Sequence, residues 1–100
     1  MARMDRHTVL DALRRHRAEL EGKGFKHMAI FGSVARDEAH SHSDVDLLVE
    51  LDRNKRLGLN YVGVIQRLED ILGCRVDVVT LPVRKERLRS AIERDRVDAF

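Results

Sequence analysis

The stretch IFGSVARDEAHSHSDVDLLVE, residues 30–50, sets the reading of this chain. An apolar run breaks at Gly32-Ser33, and a second one, VDLLVEL over 45–51, is entered through Asp44 and Asp46. Side chains alternate along a strand, so these two aspartates point the same way if the extended pattern already holds at Ser43 to Asp46. Carboxylates held that close raise each other's pKa unless a cation neutralises them, and a hard divalent ion with oxygen ligands suits such a pair.

The flanking sequence supplies partners. HMAIF (27–31) reads as a buried strand, VDLLVEL (45–51) as a second and RVDVVT (75–80) as a third, closed by Pro82. Between the last two, LNYVGVIQRLEDILG (59–73) sets Tyr61, Val64, Ile65, Leu68, Ile71 and Leu72 at helical spacing and ends on Gly73. A strand-helix-strand unit of this kind joins parallel strands by a right-handed crossover. Asp77, between Val76 and Val78, can then offer a third oxygen ligand beside Asp44 and Asp46.

Gly32-Ser33 sits where the first strand gives way to a short helical turn. Glycine allows close backbone approach, helix-start N–H groups favour phosphate oxygens, and Ser33 adds a hydroxyl, with Arg36 one turn on. For that end of the first strand to meet the beginning of the second, the two must be antiparallel. The fold class expected is therefore α/β (α+β), a small mixed sheet flanked by helices. A first helix is expected from Arg6 to Leu20, carrying Val9, Leu10, Leu13, Arg17 and Leu20 on one side, with Thr8 to Asp11 as a capping box and Gly22 and Gly24 as its stop. A last helix is expected from Arg84 to Arg94 on the sparse stripe of Leu88 and Ile92.

The 100 residues suit one domain, 1–100, with one core, and 43% apolar against 36% charged residues fits a folded chain rather than a disordered one. A net charge of +2 is too small to imply nucleic-acid binding. Clusters at Arg14, Arg15 and Arg17 and at Arg84, Lys85, Arg87, Arg89, Arg94 and Arg96 read as solvated helix faces, or as a docking surface for an anionic partner. The one cysteine, Cys74, excludes an internal disulfide and reads as a small core residue in a reducing compartment. No apolar run approaches the roughly 18 residues of a membrane span and no signal-peptide pattern opens the chain, so the cytoplasm is the expected location. His40 and His42, with no cysteine nearby, read as a solvated loop before a zinc site. Tyr61 and Phe100 read as core, with base stacking or partner contact as the alternative.

A phosphate cradle facing a carboxylate-held metal is equipment for phosphoryl or nucleotidyl transfer. Taken together, Phe31-Gly32-Ser33 with Arg36, then Ser43-Asp44-Val45-Asp46-Leu47, then a strand bearing Asp77, resemble the nucleotidyltransferase domain of the DNA polymerase beta superfamily. The short length is most similar to the minimal nucleotidyltransferase (MNT) antitoxins. The resemblance implies Mg²⁺-dependent transfer of AMP from ATP, with one or two ions. It implies Gly32 and Ser33 on the triphosphate, Asp44 and Asp46 on both metals, and Asp77 as the third carboxylate, ligating the catalytic metal and helping deprotonate the acceptor. The partner it implies is a HEPN-domain ribonuclease toxin, neutralised by complex formation and by adenylylation of a tyrosine. Asp37 departs from the glycine of that pattern and bears on the placement of Arg36. Two alternatives stand beside this reading: an antitoxin that acts by binding alone, and a nucleotidyltransferase acting on the 3′ end of an RNA such as tRNA, drawing on the basic segments.

Overall fold

The first helix is capped by Asp5 rather than Thr8: the Asp5 carboxylate accepts the Thr8 backbone N–H at 2.7 Å, satisfying a donor that a helix start leaves open. In the computed structural model, which describes residues 5–38, 44–52 and 61–100, the expected helix over 6–20 is two, α1 (Arg6–Arg15) and α2 (Arg17–Gly22). His16 makes the break. Its ring Nδ1 lies 2.8 Å from the Ala12 carbonyl oxygen, and its backbone N–H is shared between the carbonyls of Ala12 and Leu13. Local bonding of this kind competes with a continuous helical ladder. Gly24 then takes φ +110°, a conformation open to glycine, and turns the chain into the sheet.

The sheet contains β1 (Phe25–Phe31), β2 (Val45–Leu51), β3 (Val76–Thr80) and β4 (Val97–Asp98) in the order β3-β2-β1-β4. β1 and β2 are antiparallel, and β2 and β3 are parallel across the crossover helix α4 (Tyr61–Leu72), so the mixed sheet required by the site residues is the one observed. β1 begins at Phe25, before the apolar run at Met28, because exposed Lys26 and His27 interrupt its hydrophobic pattern and a register shift lies between Phe25 and His27. β4 went unread in the sequence, since two residues carry no period. It pairs with Ala29 and Ile30 of β1, and Met28 continues the ladder by accepting from Ala99 at 2.9 Å and donating to Phe100 at 3.2 Å.

The interior strands are covered on both sides, which is why they read as continuous apolar runs. Met28, Ile30, Val45, Leu47 and Val49 face the larger core with Val9, Leu10, Leu13, Leu20, Val64 and Leu68 from α1, α2 and α4. Ala29, Phe31 and Leu48 face the other way, against Ile92 and Leu88 of α5 (Glu86–Asp95), the helix expected over 84–94. Cys74 packs half-buried against the larger core. Tyr61 does not join the α4 stripe: it is 40% exposed beside Val62 at 67%. Phe100 packs against the core with the Arg17 guanidinium 5.4 Å from its ring centre.

Candidate active site

Strand register brings the candidate acids together. Phe31 lies opposite Asp46, and Asp46 lies beside Asp77 on the parallel neighbour. Paired residues on adjacent strands share a face, so Asp46 and Asp77 belong to the face that also carries Phe31 and Leu48, the side covered by α5. Asp44 stands just before β2, outside the strand, so the alternation that would align it with Asp46 does not extend to it.

β1 runs directly into α3 (Gly32–Ala35), a single turn beginning at Gly32. Gly32 adopts φ +74°, and a Cβ built there overlaps the Asp46 Oδ2 and comes within 3.2 Å of its Cγ. Both the left-handed backbone and the close approach disfavour a side chain at this position. Glycine thus sets the turn against the carboxylate, with Ser33 next along the same turn.

Asp46 is half-buried, and its carboxyl is held above the usual aspartate range, first by loss of solvent and then by the charges of Asp77 and Asp44; Arg36 partly offsets this. Asp44 and Asp77 therefore both stand within electrostatic reach of Asp46. Among the described residues, no three His, Cys, Asp or Glu side chains are already close enough to grip an ion. Asp44 and Asp77 are exposed beside the half-buried Asp46. An all-oxygen donor set with excess negative charge fits a hard divalent cation such as Mg²⁺.

Arg36 follows Gly32 by one turn, its backbone N–H bonding the Gly32 carbonyl at 3.1 Å. Its side chain does not pair with Asp46. Instead Nη1 donates to Asp95 Oδ2 at 2.6 Å and Nε to Glu38 Oε2 at 3.0 Å. Asp95 was missed in the sequence, although Leu88, Ile92 and Asp95 recur at helical spacing and so fall on the buried side of α5. Asp37, where the family pattern has glycine, takes φ +61°. An aspartate tolerates that conformation better than most residues, and its Oδ1 accepts the backbone N–H of Arg6 at 3.2 Å. His40, His42 and Ser43 lie outside the described residues. Burial, then the charges of Asp44 and Glu69, push the Cys74 thiol up, away from the nucleophilic thiolate.

Comparison with known proteins gives a consistent result. Residues 10–99 match the family model described as a nucleotidyltransferase domain. A protein of Methanocaldococcus jannaschii named "putative protein adenylyltransferase" is 36% identical over 92 residues, covering 89% of this chain and 92% of that one. The protein adenylyltransferase MntA of Thermococcus cleftensis is 33% identical over 98 residues, covering 97% and 98%. A solved structure described as a "putative minimal nucleotidyltransferase" superposes with a TM-score of 0.73 at 37% identity, over 97% of this chain and 98% of that one. An MNT antitoxin solved with a tri-AMPylated Shewanella oneidensis HEPN toxin shares the fold, with a TM-score of 0.61 at 16% identity over 91% of this chain and 71% of that one. The chain belongs to the nucleotidyltransferase-domain family, among its minimal members, and is a nucleotidyltransferase.

Proposed function

We propose that this protein transfers AMP from ATP to a tyrosine hydroxyl of a HEPN-type toxin in the cytoplasm, and so serves as the antitoxin of a toxin-antitoxin pair. One observation carries the reading: Asp46 and Asp77 are register neighbours beside a glycine turn that leaves room only for the Asp46 carboxylate. The names of the adenylyltransferase relatives, and the fold shared with the MNT antitoxin of a HEPN complex, support the choice of acceptor.

In the reaction, the acceptor oxygen attacks the α-phosphorus of ATP and forms a new P–O bond. The bond from that phosphorus to the oxygen bridging to the β-phosphate breaks, and pyrophosphate leaves. Asp77, exposed and adjacent to Asp46, takes up the hydroxyl proton. Gly32 and Ser33 hold the triphosphate, and Arg36 adds a cationic contact. Asp44, Asp46 and Asp77 are the residues that would hold Mg²⁺, as one or two ions, which would offset charge on the phosphates. Burial first, and then the charges of Asp77 and Asp44, raise the pKa of Asp46, and a cation held between these carboxylates would relieve the second of these effects.

A second acceptor, the 3′ end of an RNA, is favoured by the exposed cations Arg84, Lys85, Arg87 and Arg89 on and before α5. One experiment addresses both. ATP labelled at its α-phosphate is incubated with Mg²⁺, lysate of the source cells and either native protein or an Asp44→Ala, Asp46→Ala variant. Label in one small protein that disappears with the variant supports protein adenylylation, and label in RNA moves the second acceptor forward. No label with any nucleoside triphosphate overturns the catalytic reading in favour of an antitoxin that acts by binding.

A further inference from the structure

We propose that Asp95, at the far end of the chain from the glycine turn, is a positioning residue that orients Arg36 toward the nucleotide phosphates. The inference rests on the nucleotidyl-transfer reading above and extends it to a residue on α5. Its starting point is a carboxylate in an unfavourable place. Asp95 ends α5, where the helix dipole disfavours an anion, and its side chain is only 4% exposed, where loss of water disfavours it again. Two arginines compensate. Arg94, 69% exposed, reaches it from the solvent side through Nε and Nη2 at 3.1 and 3.2 Å. Beside that contact, Asp95 also takes a 2.6 Å bond from Arg36 on the side of the glycine turn.

The consequence for Arg36 is orientation without loss of charge. Asp95 is shared between two cations, and Glu38, the other partner of Arg36, is 64% exposed and well solvated. Nε and Nη1 are occupied by these two acids, and Nη2 has no protein partner among the described residues. A guanidinium held at two of its three nitrogens presents the third in a fixed direction, which suits it to a phosphate oxygen. Arg36 closes the turn that begins at Gly32, its backbone N–H on the Gly32 carbonyl at 3.1 Å, and Gly32 itself lies against the Asp46 carboxylate, so the guanidinium leaves the backbone beside the site. α3 and α5 also pack against each other, and the bond therefore fixes the phosphate turn to the helix behind it.

The test compares Asp95→Asn, Arg36→Gln, the double variant and Arg94→Gln, each as the full chain, by KM and kcat for ATP-dependent transfer, Kd for Mg-ATP and thermal midpoint. The expected result is a rise of about tenfold in KM and Kd for both Asp95→Asn and Arg36→Gln, with kcat changed far less. The double variant should be no worse than Arg36→Gln, because the two residues act through one bond. Arg94→Gln should lower the thermal midpoint and leave KM alone. Asp95→Glu, which keeps the charge but moves it by one methylene away from the Arg36 Nη1 contact, should raise KM as well, and it carries the test if Asp95→Asn fails to fold, an unchanged KM there overturning the role equally. An unchanged KM in Asp95→Asn, an additive double variant (about a hundredfold), or an equal rise in Arg94→Gln overturns the positioning role and leaves nucleotidyl transfer standing. A native protein that binds no Mg-ATP and transfers nothing overturns both.

Discussion

Replacing Gly32 by alanine tests the link between backbone and chemistry most directly. Two costs add. An L side chain at φ +74° costs about 1–2 kcal/mol, and turning the Asp46 carboxylate out of the way of the new methyl costs about 0.5–1.5 kcal/mol more if its side chain leaves a staggered rotamer. The sum, about 1.5–3.5 kcal/mol, corresponds to a fall of roughly 6–28 °C in thermal midpoint for a chain of this size. Gly73 provides the control: it sits at φ +71° with nothing within 4 Å of an added Cβ, so Gly73→Ala carries only the backbone part. The difference between the two variants, about 1 kcal/mol, measures the contact with Asp46. Activity should separate them further. Gly73→Ala should retain transfer of AMP, whereas displacing the Asp46 carboxylate should reduce transfer by about a hundredfold at a temperature where both variants are folded. Calorimetry and labelled ATP give the two readouts. Equal midpoints with full transfer in Gly32→Ala would refute the claim that this turn and Asp46 are fitted to each other.

Other outcomes follow from the charges and the core. Because the folded-state pKa of Asp46 is raised, the native state binds its proton more tightly than the unfolded chain does, and metal-free protein should lose stability as pH rises through that pKa. Asp46→Asn should therefore stabilise the metal-free protein at neutral pH, with the gain fading in acid and the sign reversing against native protein when Mg²⁺ is added; urea titrations across pH check this. Asp95 behaves oppositely: bonds from Arg94 first and then Arg36 lower its pKa, so its contribution is present above the ordinary carboxylate pKa and lost as pH falls through the depressed one. Asp95→Asn should accordingly remove part of the acid-side slope of the stability curve. Leu13→Ala, in the larger core, should cost about 2–5 kcal/mol in denaturant unfolding, and Leu88→Ala, half-buried in the smaller one, clearly less. Gly63→Ala, exposed in α4 with nothing within 4 Å of an added Cβ, should stabilise by about 0.5–1 kcal/mol in the same assay.

The sheet was legible because its chemistry constrained it. Asp44, Asp46 and Asp77 can meet the end of β1 only if β1 and β2 are antiparallel and β2 and β3 parallel, and the α4 crossover demanded the second relation independently. The Gly32 turn was legible for the same reason, although its fit to Asp46 is a distance that no pattern encodes. What escaped reading depends on single contacts. The break at His16 comes from one ring nitrogen competing for the Ala12 carbonyl, within a segment whose apolar spacing runs on unbroken to Leu20. The Arg36–Asp95 bond joins residues 59 positions apart, and periodicity can say that Asp95 faces inward but not what it meets there.

The two faces of the sheet divide the molecule unequally. One side gathers α1, α2 and α4 over most of the buried side chains, and the other carries the aspartates over a small cluster around Ile92. Most of the folding strength thus lies on the side away from Asp46 and Asp77, and substitution of these acids should disturb the larger core little. Loss of these acids would therefore leave most of the buried packing in place, so the fold can outlast the chemistry.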